Sequence, residues 1–253
     1  MKKSINPNPI NPIIVIPARM KATRLPNKPL MDIHGVPMII RVAEQAKQAN
    51  IAPVILAVCE AFPLEVISSI DFPVLNTDEN LPSGTDRVYF ALKKYDPSQK
   101  YNVVINVQGD LPFFPPHYLQ KLLHVFENPD IDMATLVSPM TKEEAQNPHR
   151  VKTVLNEQGR ALYFSRSPIP HGAEQFRHHI GVYAYKRDVL EKLTHTPPAP
   201  LEIQEKLEQI RALCLGMHIQ CVEVEADSLS VDTPEDLEMA RHYAKKIEQD
   251  SSI

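Results

Sequence analysis

Short apolar runs alternating with segments of helical period constrain this chain more than any other feature. Ile13-Ile14-Val15-Ile16, Val54-Ile55-Leu56-Ala57-Val58 and Val103-Val104-Ile105-Asn106-Val107 are rich in β-branched residues and nearly free of polar alternation. That is the pattern of strands covered on both faces. Between them, residues 37–49 carry Met38, Ile39, Val42, Ala43 and Ala46 at helical spacing, and residues 86–95 and 116–126 read as further helices. The alternation predicts an α/β fold, a mostly parallel sheet flanked by helices. From 133 to 185 the rhythm changes to short strand-like pieces at 133–137, 151–155, 161–164 and 181–185, which predict a small mixed or antiparallel lobe. A helix over 201–213, a strand over 219–224 and a helix over 234–247 complete the chain. The last helix is well signalled, with Thr233 as cap, Pro234 at the first position and Glu235 and Asp236 in the first turn. The expected organisation is a flexible leader over 1–12 and a single domain over 13–253, with the smaller lobe at about 133–185.

Of the 253 residues, 43% are hydrophobic and 23% charged, enough for one sizeable core. A net charge of -4 gives no general attraction for a polyanion, so no nucleic-acid partner is expected and an anionic ligand must meet a local cluster. Cys59, Cys214 and Cys221 lack metal-ligand spacing and read as reduced, buried thiols of a cytoplasmic protein. The proline-rich leader has no apolar stretch fit for a signal peptide, and no run approaches the roughly 18 apolar residues of a membrane span. No membrane partner is expected.

The seven glycines form neither a Gly-x-Gly-x-x-Gly turn nor a Gly-x-x-x-x-Gly-Lys loop, so side-chain cations must meet any phosphates. Such cations follow the first strand: Arg19, Arg24 and Lys28, in a loop stiffened by Pro17, Pro26 and Pro29. The loop is either a solvated basic segment or a triphosphate site at the carboxyl edge of the sheet. Asp110 follows the third apolar run, at the same edge, as a turn residue or a Mg²⁺ ligand. Asp232 reads first as a helix-start residue, and as a metal ligand only if the fold brings it near Asp110. Ser83-Gly84-Thr85-Asp86-Arg87 reads as a helix start with Thr85 as cap, or as a close approach to a flat base. The scattered histidines carry no zinc or iron spacing, and no Gly-x-Ser-x-Gly elbow supports serine hydrolysis.

Taken together these blocks resemble the 3-deoxy-manno-octulosonate cytidylyltransferases. Their signature, Pro-Ala-Arg-x-x-Ser-Thr-Arg-Leu-Pro-Gly-Lys-Pro-Leu, is met at ten of its twelve fixed positions, with Ala22 for serine and Asn27 for glycine. Further matching blocks begin at Ser83, Val107, Ala161, His179, Leu207 and Val231. The resemblance implies a nucleotide-diphospho-sugar-transferase type of fold, usually a homodimer, with 133–185 as the dimer-forming lobe. It also implies Mg²⁺-dependent transfer of CMP from CTP to the sugar acid, activating it for lipopolysaccharide synthesis. By that likeness Arg19, Arg24 and Lys28 hold the triphosphate, and Ser83, Gly84 and Gln108 lie near the cytosine. Asp110 and Asp232 hold the metal, while Arg166, His179, Tyr183, Glu208 and Gln209 line the sugar-acid side. Arg19, Lys28, Asp110 and Asp232 form the expected catalytic set. Leu111 departs from the acidic residue common after Val-Gln-Gly-Asp, and Asn80-Leu81-Pro82 departs from a more polar stretch. The alternatives are a related acid sugar such as the 8-amino analogue as substrate, or a nucleotide-sugar binder that has lost catalysis.

Overall fold

The computed structural model describes residues 9–20, 25–59, 62, 63, 66, 71–225 and 230–250. The first apolar run becomes β1 (Pro12–Ala18), every residue of it buried. Parallel to β1 run β4 (Val54–Cys59) on one side and β6 (Val103–Val107) on the other, and β5 (Val74–Thr77) pairs β4 in parallel. Beyond β6 lie β10 (Phe176–Lys186), β7 (Met133–Met140) and β11 (Ile219–Glu223), giving the order β11-β7-β10-β6-β1-β4-β5. Along this path only β10 is antiparallel to its neighbours, since β11 pairs β7 in parallel. The sheet is thus mostly parallel, as its apolar runs require.

The segment over 133–185 does not stand apart from this sheet. Its first and last strands, β7 and β10, are interior members of it, and only the hairpin of β8 (Lys152–Leu155) and β9 (Ala161–Ser165) branches off, through β10. A second, two-stranded antiparallel sheet joins β2 (Asp32–Ile33) to β3 (Val36–Pro37).

Helices cover both faces. One face packs α1 (Met38–Gln48) and α3 (His117–His124) over Ile14, Ile16, Ile105 and Val107. The other packs α2 (Gly84–Tyr95), α5 (Arg187–His195) and α7 (Gln209–Cys214) over Ile13, Val15 and Val104. Alternate residues of each strand thus point into two separate cores, the reason the strands are apolar throughout. A short α4 (Lys142–Ala145) follows β7, and α8 (Pro234–Asp250) closes a third cluster over Leu25, Ile33 and Met38.

Three expectations are corrected. The single helix over 201–213 is two, α6 (Pro200–Glu205) and α7, because Lys206 takes a left-handed conformation (φ 57°) that breaks the hydrogen-bond ladder. The leader is not free up to residue 12: Asn11 N donates to Asn102 Oδ1 at 2.8 Å, Asn102 Nδ2 donates to the Pro9 carbonyl, and Pro12 lies in β1. Residues 1–8 lie outside the described set. Cys214 is exposed, whereas Cys59 and Cys221 are buried.

Candidate active site

The ends of the paired parallel strands β1 and β6 lie side by side at one edge of the sheet, with Gly109 in the turn after β6. A Cβ on Gly109 would stand 3.1 Å from the Pro17 carbonyl oxygen and 3.3 Å from Ile39 Cδ1, so any side chain there would press the turn after β6 away from the end of β1 by a few tenths of an ångström. The close approach brings Asp110 beside the basic loop. Lys28 enters a short 3₁₀ turn directly after Asn27, whose φ of 57° explains the tolerance for asparagine where the resembled signature has glycine.

Lys28 Nζ lies 2.8 Å from Asp110 Oδ2 and 2.8 Å from Asp232 Oδ1. Asp232, 122 positions after Asp110 in the chain, is therefore its close neighbour through one ammonium. Further hydrogen bonds hold it there. Val231 N donates to the Asp110 carbonyl at 3.0 Å. The Asp236 carboxylate accepts from the backbone N–H groups of Asp232 and Thr233 at 2.9 Å each, while Thr233 Oγ1 accepts from Asp236 N at 3.2 Å. Thr233 thus caps α8 as expected, in a reciprocal arrangement that also orients Asp232. Burial disfavours the Lys28 ammonium, but Asp110 and then Asp232 outweigh it, and the pKa is raised above its ordinary value. The lysine is charged.

Arg19 is exposed and lines the same cleft, of about 250 Å³, as Lys28, Gln108, Asp110 and Asp232. Arg24 lies outside the described residues. Gln108 is the junction of the region, lining this cleft and two others that open towards β10. Its Nε2 donates to Asn106 Oδ1 at 3.1 Å, which fixes the amide. Asn106 is fully buried in β6, and its role could have been suspected as the one polar residue in an apolar run.

Ser83, expected near a base, is the cap of α2: its Oγ accepts from Asp86 N at 3.1 Å and donates to Asp86 Oδ2 at 2.7 Å. This replaces Thr85 as the expected cap. Thr85 instead donates to Glu208 Oε2 at 2.6 Å, linking the starts of α2 and α7. A Cβ on Gly84 would make only ordinary contact, at 3.8 Å with Gln108 Oε1, so the fold itself does not require glycine at this position beside the Gln108 amide.

The residues expected on the sugar side divide. Tyr183, Glu208 and Gln209 share one cleft with Gly84 and Gln108. The Tyr183 phenol, held well above its usual pKa by burial and then by Tyr185 and Glu208, donates to Gln209 Oε1 at 3.3 Å. Gln209 Nε2 is buried with no partner among the described residues, a donor left over at the cleft. His179 borders a neighbouring cleft with Gln108 and Asp110, yet is only 6% exposed. Its Nε2 is 3.0 Å from Thr135 Oγ1, which donates to the Val182 carbonyl at 2.8 Å where a bulge interrupts the β10–β7 pairing. With that hydroxyl proton committed, the ring donates from Nε2. Burial, with a smaller contribution from His178, holds its pKa down to about 3, so it is neutral. Arg166 is not among the residues lining these clefts. Its guanidinium donates to the carbonyls of Glu205, Pro148 and Lys206, and so serves to tie the β8–β9 hairpin to α6.

Leu111 is 4% exposed and belongs to the core that α1 and α3 cover. Among the described residues no cluster of three or more His, Cys, Asp or Glu side chains could hold a metal. Mg²⁺ needs no such cluster: one or two carboxylates complemented by phosphate oxygens and water suffice, and Asp110 with Asp232 supplies that hard-oxygen pair.

A family model described as Cytidylyltransferase matches residues 13–219. A 3-deoxy-manno-octulosonate cytidylyltransferase of Paramagnetospirillum magneticum is 48% identical over 242 residues, covering 93% of this chain and 98% of the relative. Its counterpart in Rhodospirillum rubrum is 47% identical over 237 residues, with coverage of 91% and 94%. Among solved structures, CMP:2-keto-3-deoxy-manno-octonic acid synthetase complexed with CTP superposes with a TM-score of 0.86 at 37% identity, covering 93% of this chain and 99% of the other. With the ends of β1 and β6 side by side at one sheet edge and this likeness spanning nearly the whole chain, the protein belongs to the cytidylyltransferase family, among the 3-deoxy-manno-octulosonate cytidylyltransferases.

Proposed function

We propose that the protein transfers the CMP moiety of CTP to 3-deoxy-D-manno-octulosonate, releasing pyrophosphate. The observation that carries this reading is the Asp110–Lys28–Asp232 cluster at the carboxyl edge of the sheet, in a cleft that meets at Gln108 a second cleft bordered by Tyr183, Glu208 and Gln209. A nucleoside triphosphate and an acid sugar need two such adjoining clefts. In the reaction the anomeric hydroxyl oxygen of the sugar forms a bond to the α-phosphorus as the bond from that phosphorus to the pyrophosphate oxygen breaks, and the hydroxyl proton passes to solvent.

The barrier lies mainly in bringing two anions together and in stabilising spread charge. Arg19, Arg24 and Lys28 meet the triphosphate in this reading, and Gln108 lies between the two substrates. Tyr183, Glu208 and Gln209 offer the sugar a donor and acceptors for its hydroxyls. Asp110 and Asp232 would hold Mg²⁺. When bound, the metal neutralises phosphate charge and favours ionisation of the attacking hydroxyl. No protein nucleophile is required.

We further propose a cytoplasmic homodimer that activates the sugar for lipopolysaccharide synthesis. No helix among the described residues is long and apolar enough to cross a membrane. Leu162, Leu201 and Ile203 are large, apolar and exposed, which suits self-association; a solution mass of one 28.6 kDa chain would count against it.

The test of function is pyrophosphate release from CTP and Mg²⁺ with 3-deoxy-D-manno-octulosonate, the 8-amino analogue, N-acetylneuraminate or no sugar. Release with the first sugar alone is expected. Release with another sugar keeps the transfer and moves the specificity, and silence with all leaves a nucleotide-sugar binder.

A further inference from the structure

Lys28 contributes more than a fixed positive charge for phosphate. Its ammonium lies 2.8 Å from one oxygen of each of the two carboxylates that would hold a divalent cation. Those two oxygens are consequently no more than twice that distance apart, and the lysine lies between them. The Lys28 side chain is 14% exposed, against 26% for Asp110 and 43% for Asp232, so water screens its contact with Asp110 less than its contact with Asp232. An ammonium and a divalent cation on the same carboxylate oxygens repel each other at close range. The ammonium is also on a flexible stem of four carbons, next to a cleft of about 250 Å³ that contains Arg19.

We infer that Lys28 is an exchangeable cation: it neutralises Asp110 and Asp232 in the free protein and vacates them when a divalent cation binds, and its ammonium is then available to phosphate oxygens in the same cleft. Two consequences follow from charge alone. The free protein holds a divalent cation weakly, because the ion must first displace a bound ammonium. A nucleoside triphosphate strengthens that binding, since its phosphates receive the displaced lysine as well as the ion. Metal and nucleotide affinities are thereby coupled, and the coupling is reciprocal. The inference rests on the reading of Asp110 and Asp232 as metal ligands, but not on which sugar, if any, is the acceptor.

Mn²⁺ binding to the full chain without nucleotide, followed by electron paramagnetic resonance, tests it directly. Lys28→Met, which keeps the length of the side chain without its charge, is expected to bind Mn²⁺ at least about tenfold more tightly than the parent, within the usual range of coupling between sites. Lys28→Arg, which restores a cation, is expected to bind as weakly as the parent. Adding CTP should tighten Mn²⁺ binding to the parent more than to Lys28→Met. Equal or weaker Mn²⁺ binding by Lys28→Met, or no binding by any of the three, overturns the inference.

A second measurement needs no variant. Acetylation of Lys28 in the unmodified protein, read by mass spectrometry, should rise with Mg²⁺ alone and fall again once CTP is added; an unchanged yield with Mg²⁺ counts against exchange. A protein inactive in pyrophosphate release but showing the Mn²⁺ pattern would retain the exchange and lose the proposed function, so the two failures are distinct.

Discussion

Asp110 is the residue at which sequence and geometry converge most closely. Its carbonyl anchors Val231, its carboxylate receives Lys28, and its own position depends on the glycine before it. Asparagine in its place can still accept from Lys28 Nζ, so the local fold has what it needs. The charge required by a metal ion is lost. Asp110→Asn is therefore expected to match the parent in circular dichroism and melting while pyrophosphate release falls by at least about a hundredfold, the scale of one well-placed electrostatic contact in an active site. Near-parental turnover would remove Asp110 from the metal-holding pair. Arg166 teaches the opposite lesson: an arginine in a matching sequence block is committed to three main-chain carbonyls. Residue type and spacing reveal that a cation is present, but not how many of its five N–H donors the fold itself uses.

At the scale of elements, most helix and strand positions follow from hydrophobic period, while their ends depend on local hydrogen bonds. Ser83 rather than Thr85 begins α2, because Ser83 is extended (φ -142°) and its hydroxyl reaches Asp86 N. Ser83→Ala should lower the unfolding free energy by about 1 kcal/mol in urea denaturation, and Ser83→Asn should recover most of it, as asparagine caps equally well. An asparagine variant as unstable as the alanine one would show that capping is not what Ser83 supplies. The split of α6 from α7 and the strand β5 were not legible in the sequence. Nothing in the Leu201 to Leu213 periodicity marks Lys206 as left-handed, and β5 is only Val74–Thr77, too short for a period to declare itself.

For the whole molecule, the buried histidine at the bulge of β10 makes stability depend on pH. His179 has a folded pKa of about 3 against an ordinary 6.5. Above pH 6.5 neither state carries its proton. As pH falls below 6.5 the unfolded chain takes up a proton that the native one refuses, so stability declines until about pH 3, by up to about 1.4 kcal/mol per pH unit. His179→Gln, which does not titrate, is expected to flatten the decline between pH 6.5 and 5 in urea unfolding; an unchanged slope would assign the decline to other groups. The sequence alone determined the fold class, the sheet edge to which Asp110 and the basic loop belong, and the capped start of the last helix. These rest on periodicity, chain direction and local capping, all of which act over a few neighbouring residues. The union of Asp232 with Asp110 through Lys28, the merging of 133–185 into the main sheet, and the burial of His179 were decided only by tertiary structure. Each depends on strands and loops distant in the chain packing side by side, where burial and hydrogen-bond partners are set by neighbours that spacing along the sequence does not specify.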